Sequence, residues 1–168
     1  MKLNYVYCLW LILGLTQIPG ISKAQDTLQG LLPLQNMEVV YDTIVVTHSP
    51  QQNLLETGKI WLREHHYAIT DSSASMVQGN GYFYISWNPT VVEDDPVQVH
   101  HTLQFAFIDG QCRIRITFTD TKIIKAGGSS TESLLQFATE HNTHPSLVML
   151  NERARKVMRS STKAMLSP

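Results

Sequence analysis

The chain has 168 residues, 43% hydrophobic and 16% charged, with 13 Lys+Arg against 14 Asp+Glu. That size and apolar content suit one globular domain and exclude collagen-like, largely disordered or large multidomain classes. Two cysteines leave too little for a disulfide framework or a thiolate metal cluster, and the near-neutral balance lacks the basic footprint of a nucleic-acid binder.

Residues 1–24 come first. Lys2 precedes the apolar run Tyr5 to Leu15, Pro19-Gly20 breaks it, and Ser22-Lys23-Ala24 supplies a small-x-small site. This is the anatomy of a secretory signal peptide cleaved before Gln25. An apolar core of about a dozen residues is short of the ~20 that span a bilayer. Cleavage would leave Cys112 as the sole cysteine, with no intrachain disulfide to form. The remaining charge is unevenly placed. Residues 25–144 carry 6 Lys+Arg and 13 Asp+Glu, a formal −7, whereas 145–168 carry five basic side chains and only Glu152, a formal +4.

Val39 to Thr47 is dense in β-branched residues and reads as a strand. Ser49 is a good N-cap and Pro50 fits the first helical position. From there Leu54, Leu55, Gly58, Trp61, Leu62 and His65 share one helical stripe, and Gly58 suggests close approach to a sheet. Ile60 falls off the stripe. Tyr67 to Thr70 is a short strand, Asp71-Ser72-Ser73 its turn, and a longer strand runs from about Ser75 to Trp87. Gly79-Asn80-Gly81 interrupts it, as a bulge or kink or, alternatively, as an Asn-Gly hairpin turn. Asn88 to Pro96 is an acidic loop.

Asp109-Gly110 is a favoured two-residue hairpin turn. Pairing Ile108 with Gln111 sets Phe107, Phe105, Leu103 and His101 opposite Cys112, Ile114, Ile116 and Phe118 on the core side. The other side then carries Ala106, Gln104, Thr102 and His100 opposite Arg113, Arg115, Thr117 and Thr119. Lys125 to Ser130 reads as a linker, and Ser129 with Glu132 as a capping box for a helix bearing Leu134, Leu135, Phe137 and Ala138. A last helix puts Leu147, Leu150, Ala154, Val157, Met158, Ser161 and Met165 on one side and Arg155, Lys156, Arg159 and Lys163 on another.

The expected fold class is therefore α+β: an antiparallel sheet of about five strands in β-α-β-β-β-β-α order, plus C-terminal helices. This order resembles a family of secreted Bacteroidetes domains of unknown function described as having a TATA-box-binding-protein-like (TBP-like) fold. The matching pieces are the first strand Leu34 to Val46, the helix bearing Trp61-Leu62, the Gly79-x-Gly81 strand, and the pair Leu103 to Ile108 and Arg113 to Phe118. They cover residues 31–123, the expected domain, with 124–168 as linker and basic helices. The resemblance implies export to the periplasm or cell envelope and supplies no catalytic residue. Fold alone does not imply DNA binding, and a −7 body lacks the charge for it.

His65-His66, His100-His101 and Glu140-His141-x-x-His144 are the histidine groups, with His48 alone. Imidazoles three apart on a helix share a face and can hold a metal, but Pro145 after His144 argues that this helix has ended. Cys112 falls in the apolar layer, where a thiol is unreactive. Glu93-Asp94-Asp95 reads as a solvated loop tip. No Gly-x-Ser-x-Gly elbow, phosphate loop, His-Glu-x-x-His or Cys-x-x-Cys occurs.

The candidate ligand-binding residues are Tyr82, Tyr84, Gln104, Arg113 and Arg115, with Thr102 and Thr117, on the outer sheet face. Tyr offers amphipathic contact area and Arg reads carboxylates bidentately. The expected function is an exported non-catalytic envelope module, without cofactor or bound metal, taking a peptide, glycan or envelope protein there. The alternative is a small histidine-dependent hydrolase or metal-dependent enzyme. Membrane contact through the basic C-terminal helix is the less favoured use of that element.

Overall fold

The computed structural model describes residues 32–35, 38–86, 96–108, 110–125, 128–140 and 144–167. The expected signal peptide and the Glu93-Asp94-Asp95 tip lie outside the described residues. In chain order the elements are β1 (Leu34–Gln35), β2 (Glu38–Val46), α1 (Gln51–Glu64), β3 (Ala68–Ser72), β4 (Met76–Ser86), β5 (Pro96–Ile108), β6 (Gln111–Lys125), β7 (Gly128–Glu132), α2 (Leu134–Glu140) and α3 (His144–Leu166). Among the described residues, seven strands form one antiparallel sheet in the order β1-β2-β6-β5-β4-β3, and β7 pairs with β6 beyond the stretch taken by β2. The class is α+β as expected. The strand number exceeds the expected five or so through the short β1 and β7.

Gly110, at φ +75°, takes the left-handed backbone that the β5–β6 turn needs. The hairpin register is the expected one: Ile108 faces Gln111, and Phe107, Phe105, Leu103 and His101 face Cys112, Ile114, Ile116 and Phe118. At His100 the register slips, because Thr119 and Asp120 together oppose that one residue. Such a bulge turns β6 and restores the inward direction of Thr121 and Ile123, which are both buried.

One face of this sheet carries the core. Leu54, Leu55, Gly58, Trp61 and Leu62 of α1 are buried against it. A Cβ at Gly58 would stand 3.0 Å from Val77 Cγ1 and 3.3 Å from Phe107 Cζ, so the helix backbone rests almost directly on β4 and β5. Ile60 points away and is exposed. The helix ends on a left-handed His66 (φ 61°), whose N–H donates to the Arg63 carbonyl at 3.1 Å while the Tyr67 N–H donates to Leu62 at 2.8 Å. This is the Schellman arrangement, with Tyr67 and Leu62 supplying its apolar contact. Leu147, Leu150, Ala154, Ser161 and Met165 of α3 are buried on the same face, and Leu134 and Phe137 of α2 join the same core. The Tyr41 hydroxyl donates to Asn151 Oδ1 at 2.8 Å, tying β2 to α3. Burial pushes the Tyr41 phenol up to about 12, with Arg155 pulling the other way.

Five local expectations change; in the first, Asp71 and Ser72, expected in a turn, are paired with Gln78 and Val77 as the end of β3. Pro50 is itself the N-cap of α1, with no side-chain cap, and the Ser49 N–H donates to Thr47 Oγ1 at 3.1 Å. Gly79 and Gly81 mark neither a hairpin nor a bulge, since β4 pairs with β5 without interruption from Met76 to Ser86. The bulge of this region sits across the ladder in β3, between Ile69 and Asp71. Of the expected linker, Lys125 ends β6 and Gly128 to Ser130 open β7, residues 126 and 127 lying outside the described residues, and Ser129 and Glu132 both lie in β7. Ser133 begins α2 instead, its Oγ accepting the Gln136 N–H at 3.1 Å. Finally, His144 opens α3, with Pro145 in its first turn, where a missing N–H is harmless.

Candidate functional site

Among the described residues the helices pack on one face, and side chains of opposite parity form a second face that is exposed at both ends, although Val40 on it is buried. Pairing aligns them in rows across β2, β6, β5 and β4. Ile44, Arg113, Ala106 and Met76 make one row; Asp42, Arg115, Gln104 and Gln78 the next; then Val40, Thr117, Thr102 and Asn80. Tyr82 faces His100 and Tyr84 faces Gln98 further along. All five sequence-predicted binding residues thus share one face. They do not form one cluster. From Gln78 to Tyr82 the strand advances about 13 Å, and Arg115 lies two strands, about 10 Å, to the side of Gln78.

The tyrosines make an aromatic end. Tyr82 and Tyr84 meet edge to face at 5.2 Å, Tyr82 leans on His100 at 5.9 Å, and Gln98 Nε2 donates to the Tyr84 hydroxyl at 2.8 Å. The Tyr84 hydroxyl holds the Tyr82 phenol above its ordinary range. About half of each tyrosine is exposed (52% and 48%). At the opposite end Ile44, Val46 and Ile108 are 61%, 65% and 68% exposed, an apolar group that sequence reasoning missed. Alternation alone would have placed these three side chains on the outer face.

The middle of the face is polar and largely satisfied. Arg113 is not a free guanidinium: its Nε donates to both Asp42 oxygens at 2.9 and 3.0 Å, and its Nη2 donates to Oδ2. The hydrogen bonds from Arg113 hold the Asp42 carboxyl below its usual range, its partial burial opposing them. Gln104 Nε2 meets Met76 Sδ at 2.7 Å, and Thr102 donates to Asn80 Oδ1 at 3.2 Å. Arg115, opposite Gln104, keeps a buried Nε without a partner.

The described histidines are dispersed. His65 stacks on Trp61 at 3.8 Å and His66 closes the helix end. His101 is buried, 2.8 Å from the Tyr67 hydroxyl through Nε2, and stacked on Phe83 at 4.2 Å. His141 lies outside the described residues, as do the side-chain surroundings of His144. Among the described residues no three His, Cys, Asp or Glu side chains converge to hold a metal. Cys112 is fully buried, and burial pushes its thiol up to about 12.

No family model matches the sequence, and no curated protein matches it. Solved structures do share the fold. A DUF4468 family protein from Bacteroides ovatus aligns with a TM-score of 0.55 over 79% of this chain and 91% of its own, at 12% identity. A TBP-like protein from Parabacteroides distasonis aligns with a TM-score of 0.53 over 78% of this chain and 97% of its own, at 9% identity. The chain therefore has the architecture implied by its resemblance to a Bacteroidetes domain of unknown function with a TBP-like fold. At such identities the likeness is one of fold, and function has to be read from the site.

Proposed function

We propose that the chain is an exported, non-catalytic module of the cell envelope that binds a peptide, glycan or protein partner through the outer face of its sheet. One observation carries the reading: the helices cover the inner face, while Tyr82, Tyr84, Ile44, Val46 and Ile108 stay exposed on the other. Exposed aromatic and aliphatic side chains grouped on one side of a small domain mark a binding surface more often than solitary ones do. Tyrosines with hydrogen-bonded hydroxyls offer rigid, amphipathic contact area. The signal-like pattern of residues 1–24 supports export, and no helix among the described residues is long and apolar enough to cross a membrane.

Tyr82 and Tyr84 provide the cleaner test, because replacing Arg113 would also break its pair with Asp42. Serine at both positions is expected to leave the unfolding midpoint within a few degrees, since exposed substitutions change stability by about 0.5 kcal/mol or less. Retention of the envelope partner in a pulldown should fall at least about tenfold, the scale of losing aromatic anchors. Unchanged retention would remove the aromatic end from the binding surface, and equal loss of folding would make the two tyrosines structural.

A further inference from the structure

Among the described residues, the sheet leaves one long edge open besides its outer face. The Thr47 amide donates to the Gly110 carbonyl at 2.8 Å, in step with the β2–β6 register. Antiparallel ladders alternate, so Tyr41, Thr43, Val45 and Thr47 direct their backbone groups at β6, and Val40, Asp42, Ile44 and Val46 direct theirs away from it. The Val40 amide is taken by the Pro33 carbonyl at 2.9 Å, and β1 covers the strand only as far as Val39. Beyond that, the outward amides and carbonyls of Asp42, Ile44 and Val46 have no partner among the described residues. Edges this apolar are usually blunted by Pro, Lys or a bulge. From Tyr41 to Val46 this one carries none of them.

A groove of about 420 Å³ runs beside the edge on the inner face, between Thr43 and the C-terminal half of α3, where Met158, Arg159, Thr162, Lys163 and Leu166 line it. Neither Arg159 nor Lys163 meets a carboxylate within ion-pair distance among the described residues. Open backbone groups thus lie next to a cleft with an apolar and a cationic wall.

We propose that the β2 edge takes an extended acidic segment of a partner protein as an added strand, with the acidic side chains of one face lodged beneath α3 and the apolar ones on the other face. Main-chain bonds to Asp42, Ile44 and Val46 would give affinity, and the groove would select the sequence. Charge chooses this occupant over a second copy of the chain. A second β2 would present Tyr41, Thr43 and Val45 to the groove, none of them acidic, and would set two basic helices side by side. This site is separate from the aromatic end, so either can fail without the other.

The test uses acetylated peptides alternating Glu with Val, their Lys–Val counterparts, and amide exchange resolved by residue. The Glu–Val peptide should bind and slow exchange at Asp42, Ile44 and Val46, and the Lys–Val peptide should not. Arg159→Glu with Lys163→Glu, both exposed on α3, should weaken binding at least about tenfold. Ile44→Pro removes an amide that faces away from β6 and should abolish the protection while the β2–β6 ladder persists. Absence of Glu–Val binding, binding without protection of those amides, or binding indifferent to the charge reversal would overturn the proposal. So would protection that grows with protein concentration in the absence of peptide, which would assign the edge to self-association.

Discussion

Lowering the pH from 6.5 to about 4 is expected to remove about 3 kcal/mol of folding stability, through His101. Its ring is buried among Tyr67, Phe83 and Phe118, with the Tyr67 hydroxyl on Nε2 and no well-formed bond at Nδ1. Burial drives its pKa down to about 4; the Val99 backbone works against this and neighbouring His100 with it. The sign follows from proton uptake. Above pH 6.5 the imidazole is neutral in both states and stability is complete. Below it the unfolded chain gains a proton that the folded chain refuses, so stability falls by about 1.4 kcal/mol per pH unit until the folded form also titrates. Asp42, whose carboxyl is held below its ordinary value, loses its contribution only at more acid pH. Denaturant midpoints across this range give the measurement. In a His101→Leu, Tyr67→Phe double variant, which removes the imidazole and its hydroxyl partner together, the acid slope should flatten. A wild-type midpoint that stays level between pH 6.5 and 4 would show that the imidazole is not held neutral.

The second large effect concerns Gly81. Alanine normally stabilises an ordered position relative to glycine by about 0.5–1 kcal/mol. Here a Cβ would stand 2.7 Å from Tyr67 Cε1 and 3.0 Å from its Cδ1. That ring is not a loose neighbour: Trp61 packs on it at 5.8 Å, His101 holds its hydroxyl, and burial raises its phenol pKa. Gly81→Ala should therefore destabilise by about 2 kcal/mol, the scale of overpacking a filled core. In a Tyr67→Leu background the same substitution should cost much less, and a double-mutant cycle reads the difference. A Gly81→Ala variant as stable as the parent would mean that the ring shifts freely.

These two residues also show what was legible in the sequence. The β5–β6 hairpin could be read because Asp109-Gly110 and strict alternation are local signals, and the same alternation placed Tyr82, Tyr84, Gln104, Arg113 and Arg115 on one face. The reason for Gly79 and Gly81 was not local. At Gly81 it is the Tyr67 ring, and at Gly79 the Tyr67 Cβ, the Leu62 side chain and the Ala68 carbonyl, all arriving from before or within β3, and a pattern of neighbours along β4 gives no sign of them. Arg113 looked free for the same reason, since Asp42 meets it only once β2 is aligned on β6. The strand β7 was hidden because its polar run Ser129-Ser130-Thr131 is exposed and shows no apolar alternation; it is held by backbone pairing to β6. Ser129 and Ser133 both precede α2, and the capping spacing favoured the wrong one.

The binding role of the outer face is tested most directly by photocrosslinking from single positions in the native cell envelope. A benzoylphenylalanine at position 84 or 82 reports the aromatic end and one at 108 the apolar end, while one at 60 reports exposed apolar surface on α1, away from that face. Partner adducts are expected from the outer-face positions, with none from position 60. Adducts from position 60 alone, or equally from every position, would contradict an outer-face binding module.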